Sequence, residues 1–199
     1  MIPPMEVRQA LSHIIEIRQA LLGTQIYRGH RPATIATTGV LAALTPFFLD
    51  KLPLPTATSW LLVGIVCFLV VGGEMAHDYY YSFGSTQKRL ARHVLSQFTP
   101  PLFMGAALSW MWCNSPDLPM APLPALWCLF YGLGLFAARP HLGRGVGWVA
   151  LFFTLAGLAL LSPSGQATNF SAMSLIFGFG QLFLALVLHW NLPRGGDNE

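Results

Sequence analysis

The chain has 199 residues, of which 54% are hydrophobic and only 10% charged. Soluble domains carry about 25% charged residues, so these few charges cannot clothe a water-exposed surface, and the soluble globular class is excluded. Eleven Lys and Arg against eight Asp and Glu leave a net charge of +3. That excess suits loops lying against anionic headgroups, not the basic stripe that nucleic-acid binding requires.

From Met1 to Arg31 there is no short apolar core followed by a small-residue cleavage site, so the first membrane helix is expected to act as its own insertion signal. Neither end carries a lipidation motif: position 2 is Ile2 and the tail reads Gly-Asp-Asn-Glu. Met5–Ile26 has the period of an amphipathic helix. At about 100° per residue, Val7, Leu11, Ile14, Ile15, Leu21 and Leu22 share one face, and Glu6, Gln9, His13 and Glu16 share the other. Such a helix lies at the interface, packs on the protein's own cytoplasmic side, or docks a partner.

A bilayer core about 30 Å thick needs roughly 20 apolar residues in helical form. Six stretches meet or approach this: Ala33–Leu49, Thr56–Ala76, Val94–Cys113, Leu123–Ala138, Gly145–Ser162 and Phe170–Trp190. Lipid offers no hydrogen-bond partner to bare peptide groups, so these runs are expected to be helices. The predicted class is therefore an all-α membrane protein. A cytoplasmic segment, 1–32, precedes a six-helix transmembrane domain, 33–192, and a cytoplasmic tail, 193–199. The fourth run is short and the third begins with polar residues, which makes five spans the competing count. Pro32, Pro53, Pro55, Pro122 and Pro124 stand before or at the start of runs, where a missing N–H costs no helical hydrogen bond. Pro100 and Pro101 either start the third span or kink it, and Pro163 stops the fifth.

Lys and Arg alternate between loops. Arg8, Arg18, Arg28 and Arg31 precede the first span, Lys88, Arg89 and Arg92 follow the second, Arg139 and Arg144 follow the fourth, and Arg194 lies in the tail; these ten leave only Lys51 for the opposite side. The positive-inside rule then puts both termini of this multi-pass chain in the cytoplasm. Trp60, Trp110, Trp112, Trp127 and Trp190 fall near span ends, as an aromatic belt requires. Six spans use about 120 residues, which leaves no room for a soluble catalytic domain. The sizeable extramembrane pieces are the N-terminal segment and the 78–93 loop.

Glu74, His77 and Asp78 form the leading candidate polar site. At i, i+3 and i+4 of a helix their side chains share one face, and acidic residues at such depth mark functional sites by default. Three readings stay open. One is an interfacial cluster with Glu74 paired to Arg139, His189 or a Lys of the second loop; the others are a proton or ion relay and a metal site. Glu-x-x-His is half of a di-iron motif, but no second copy is present. His189 and His141 lie at a similar predicted depth, too near the edge for a bis-histidine haem. Gln181, midway along the sixth run, is expected to make an interhelical hydrogen bond.

Tyr-Gly-Leu-Gly at 131–134 and Phe-Gly-Phe-Gly at 177–180 place glycines at i and i+2, on different sides of a helix, so each helix is expected to admit close neighbours on both. Gly143 and Gly147 read as a turn. Cys67 reads as a small hydrophobe, and Cys113 and Cys128 as free thiols, a disulfide between them being the alternative. There is no P-loop, Gly-x-Ser-x-Gly, His-Glu-x-x-His or Cys-x-x-Cys.

Leu126-Trp127, Tyr131-Gly132-Leu133-Gly134, Ala137-Ala138-Arg139 and Gly147-Trp148 carry a resemblance that resumes at Phe177–Leu182 and ends at His189-Trp190-Asn191-Leu192. In these residues the second half resembles a loose group of small, uncharacterised bacterial multi-helix inner-membrane proteins. The first half resembles that group in layout, with an amphipathic helix before the first span. The resemblance implies the architecture and the bacterial inner membrane. Members of the group often accompany a winged-helix regulator, and no catalytic residue is carried over.

The expected function is that of a non-enzymatic accessory, sensory or scaffolding subunit of an inner-membrane system. Its surroundings are the lipid bilayer, and a protein partner would meet the N-terminal helix or the 78–93 loop. No cofactor or metal is called for. The alternatives are a small-solute or proton transporter using Glu74 and His77, and a membrane metalloenzyme.

Overall fold

The computed structural model describes Tyr27 and residues 31–49, 56–115, 122–162 and 169–191. The predicted amphipathic helix Met5–Ile26 and the tail 193–199 lie outside these residues. Six helices and no strand occur among the described residues: α1 (Pro32–Leu49), α2 (Thr56–Tyr81), α3 (Ser85–Cys113), α4 (Leu123–Leu142), α5 (Val146–Leu161) and α6 (Asn169–Trp190). Stretches of α2, α4 and α6 are long and apolar enough to cross a membrane, while α1 and α5 are apolar but shorter. These helices point to a membrane protein.

Hydroxyl groups in α1 are satisfied inside the helix. Thr37, Thr38 and Thr45 donate to the carbonyls of Ala33, Ile35 and Leu41 at 2.8–2.9 Å, which lets three polar side chains sit in an apolar segment. Pro32 occupies the first helical position, where its fixed φ suits the helix and its missing N–H costs nothing.

The predicted 78–93 loop is corrected to helix. α2 runs five residues past the expected end at Ala76, and α3 begins at Ser85, so only Ser82–Gly84 connect them. The physical reason is local: Met75 to Tyr81 holds no Gly or Pro, and the edge of an apolar run is not a helix terminator. The helix stops where the Ser82 and Phe83 N–H groups both donate to the Asp78 carbonyl, at 2.9 and 2.8 Å. Gly84, in extended conformation, then caps α3. The polar first half of α3 is amphipathic, with Leu90, Ala91 and Val94 buried and Arg89, Arg92 and His93 exposed. The helix continues through Pro100 and Pro101, which therefore neither start nor end it.

Between α4 and α5 the chain turns at Gly143 and Gly145, with φ of 98° and 93°. A side chain is strained in that left-handed region, so glycine suits both places. Asn191, just past α6, reaches across to donate to the Arg144 carbonyl at 2.8 Å and so fastens this turn.

α4 with α5 and α1 with α6 are the closest pairs, followed by α3 with α4. The glycine pairs explain why. A Cβ on Gly132 would stand 3.0 Å from the Ala150 carbonyl oxygen of α5, and one on Gly134 would stand 2.9 Å from the Phe98 ring of α3. In α6, a Cβ on Gly178 would lie 2.8 Å from that of Ala43 in α1, and one on Gly180 would run into Phe153 of α5. Each i, i+2 pair thus serves two neighbours. α2 is the exception. Only 11% of its apolar window is buried, against 44% for α4 and α6, so it packs at the margin of the assembly. All three cysteines are free.

Candidate functional site

At the C-terminal end of α2, Glu74 and Asp78 fall one turn apart on one face, as their spacing requires. Both are met by a cation from the residue just before α1. The Arg31 guanidinium donates through Nη2 to Asp78 Oδ1 at 3.0 Å and Oδ2 at 3.3 Å, and its Nε lies 3.3 Å from Glu74 Oε1. Two like charges one turn apart repel, and one planar fork that reaches both relieves this. The Asp78 side chain is 5% exposed and that of Arg31 58%. The pair is therefore buried on its acidic side and wet on its basic side. His77 lies beside it, with Nδ1 3.5 Å from Asp78 Oδ1 and a largely exposed ring.

The expected partners of Glu74 are corrected. Arg139 packs its stem on Gly147, and Lys88 lies over the Tyr79 ring. Neither reaches the carboxylates, and Arg31 takes both. The reason is topological: consecutive antiparallel helices bring the start of α1 beside the end of α2.

Tyr27 extends the site. It is 2% exposed, its N–H donates to the His141 carbonyl at 2.7 Å, and its ring packs edge-on to Phe83 with centroids 5.9 Å apart. Burial pushes its phenol well above the ordinary tyrosine range, and the negative charges of Asp78 and Glu74 push it the same way. The chain just before α1 is thus held at two points, by a buried neutral phenol bonded to α4 through its backbone and by a guanidinium bonded to α2.

The other candidate residues lie apart from this site. Gln181 is buried within α6 and donates through Nε2 to the Tyr131 hydroxyl of α4 at 2.8 Å. Phe98, Phe153 and Phe177 surround the Tyr131 ring with centroids 4.7–5.6 Å away. The Gln181 Oε1 has no hydrogen-bond partner among the described residues. His189 is exposed in the last turn of α6. No hydrogen bond or ion pair among the described residues joins Gln181 or His189 to Glu74, His77 or Asp78. His141 stacks near His93, with centroids 5.9 Å apart. Among the described residues, no three His, Cys, Asp or Glu side chains gather as metal ligands would.

Arg31, Tyr27 and Tyr131 escaped the reading of the sequence. A signal for Arg31 was present: it immediately precedes Pro32, the first residue of α1, and so sits at the edge where α2 ends. Nothing local marked Tyr27 or Tyr131. Chemically, the site holds charge and fastens a segment; its carboxylates are occupied by a guanidinium. Compared with known proteins, the chain matches no family model, no curated protein and no solved structure.

Proposed function

We propose that the chain is a non-enzymatic accessory, sensory or scaffolding subunit of a bacterial inner-membrane system. It crosses the bilayer six times, keeps both ends in the cytoplasm, and holds its N-terminal segment in place for a protein partner. The observation that carries this reading is the Arg31 bridge to Glu74 and Asp78. Together with the buried Tyr27, the bridge anchors the chain preceding α1 to α2 and α4, and it uses the most buried acid of the described residues for that purpose. The alternation of ten basic residues against Lys51 supports the orientation. In this reading the partner meets the N-terminal segment or residues 78–93, which are helical on either side of the short Ser82–Gly84 connection.

The test is recovery of the tagged full-length protein from its native membrane in mild detergent, followed by mass spectrometry. A stoichiometric protein partner that is lost on Arg31→Gln is the expected result. A monomer with no co-purifying protein overturns the reading.

Transport of a proton or small solute through Glu74 and His77 is the second reading. It is favoured by the burial of Asp78 beside the exposed His77 ring. Flux in proteoliposomes that vanishes in Glu74→Gln supports it, and unchanged flux removes it.

A further inference from the structure

Tyr79 follows Asp78 in α2 and gathers two cations from α3. Arg92 donates its Nε–H to the Tyr79 hydroxyl at 3.0 Å, and the Lys88 ammonium lies 5.5 Å from the centroid of the same ring. Lys88 and Arg92 are four residues apart on one helix face, an arrangement of like charges that weakens a helix. Neither has a carboxylate within ion-pairing distance among the described residues, where Glu74 and Asp78 pair with Arg31. Arg89, the residue after Lys88, is exposed. The cluster therefore concentrates positive charge where the described acids do not answer it, and an external anion is the missing counter-charge.

The surroundings specify what kind of anion. Tyr80 and Tyr81 are 72% and 82% exposed at the end of α2, the placement aromatic side chains take at headgroup level. Further along α3 the exposed residues become apolar, with Leu95, Phe103 and Met104. A ligand seated here meets cations at one end and an apolar helix surface along its length. A phospholipid has that shape, and a free inorganic ion does not.

We propose that Lys88, Arg92 and Tyr79 form a headgroup site for an anionic phospholipid. Arg92 spends Nε on the Tyr79 hydroxyl, which leaves its Nη groups for phosphate oxygens, and a guanidinium meets a phosphate through two parallel N–H bonds. Lys88 adds a point charge on the same face. Tyr79 is the positioning residue, fixing the fork of Arg92. The inference rests on α2 and α3 lying in a bilayer, and not on the protein partner, so the purified chain can answer it alone.

The experiment titrates the full-length protein in neutral detergent with phosphatidylglycerol or phosphatidylcholine and reads retained lipid by native mass spectrometry. Phosphatidylglycerol is expected to be retained in preference to phosphatidylcholine. Removing two cations in Lys88→Gln/Arg92→Gln should weaken retention about 30-fold. The pair Arg139→Gln/Arg144→Gln removes the same charge elsewhere and should leave retention near wild type. Tyr79→Phe, which keeps the ring and removes the acceptor, should lower retention by a smaller factor, and it serves alone if the first double variant fails to fold. Equal losses in the two double variants would mean diffuse attraction and overturn the site. So would unchanged retention in Tyr79→Phe together with Lys88→Gln/Arg92→Gln, or the absence of a preference for phosphatidylglycerol. Displacement of the lipid by millimolar inorganic phosphate would assign the cluster to the free ion instead.

Discussion

Arg31 and Asp78, 47 positions apart in sequence, meet through two hydrogen bonds of 3.0 and 3.3 Å, and the same guanidinium reaches Glu74. The bridge ties the first residue before α1 to the last turns of α2, which otherwise packs at the margin. Removing Arg31 leaves two acids without their cation, one of them nearly buried. Because the guanidinium is more than half exposed, water recovers part of that loss. Arg31→Gln should therefore cost about 1–2 kcal/mol, below the range for fully buried pairs. Thermal unfolding in detergent should place Arg31→Gln/Asp78→Asn closer to either single variant than to their sum. Additive losses would mean that the two residues do not act as a pair.

Tyr27 makes stability fall at alkaline pH. Its folded pKa is raised, so above about pH 10 the unfolded chain releases the phenolic proton while the folded chain keeps it. The unfolded state then binds fewer protons than the folded state, and stability declines as pH rises through that window. Below pH 10 both states are protonated and the contribution is fully present. Tyr27→Phe should flatten this decline between pH 9 and 11, as read from melting temperatures at matched ionic strength. Equal slopes in both proteins would show that the Tyr27 phenol is not shielded.

Gly178 and Gly72 predict opposite responses to the same substitution. A Cβ at Gly178 meets Ala43 at 2.8 Å, its Cα included at 3.2 Å, so α1 and α6 must part; Gly178→Ala should cost about 1–3 kcal/mol. At Gly72 nothing stands within 4 Å, and Gly72→Ala should be neutral or gain a fraction of the helix-propensity difference, which is about 1 kcal/mol. A stability loss at Gly72 equal to that at Gly178 would contradict the packing described.

Tyr131 and Gln181 should respond unequally. Tyr131→Phe leaves the buried amide of Gln181 without its partner, at a cost of about 1–3 kcal/mol. Gln181→Leu removes the amide itself, together with its unpartnered Oε1, and replaces it by an apolar group of similar size. It also leaves the Tyr131 hydroxyl without the amide, so it should be the milder change at about 1 kcal/mol on thermal unfolding, and only Tyr131→Phe/Gln181→Leu together should approach neutrality. The reverse order would mean that the amide makes contacts beyond Tyr131.

The proposed orientation makes a labelling prediction. Cys113 is exposed at the end of α3 opposite the basic residues, Cys128 is buried and Cys67 half-buried. A membrane-impermeant maleimide applied from the outer side should label Cys113 first in intact cells with a permeabilised outer membrane. Labelling only after the inner membrane is broken would invert the topology.

The apolar runs by themselves determined that the described residues are helical and where five of their six helices begin, to within a residue or two, because bare peptide groups in an apolar setting must bond within their own segment. The same holds for the paired glycines: an i, i+2 spacing turns two bare patches toward different neighbours in any helix, and α4 and α6 use both. Tertiary structure decided the rest. Residues 78–93 carry charges from which a loop is expected, yet charge does not end a helix, and the backbone turns only at Ser82–Gly84. Which cation answers Glu74 depends on distance in space, and ion pairing decays over a few ångströms while Arg31, Lys88 and Arg139 are equally plausible along the chain. Only the antiparallel packing of α1 on α2 selects Arg31, and only the packing of α3 on α2 brings Lys88 and Arg92 to Tyr79.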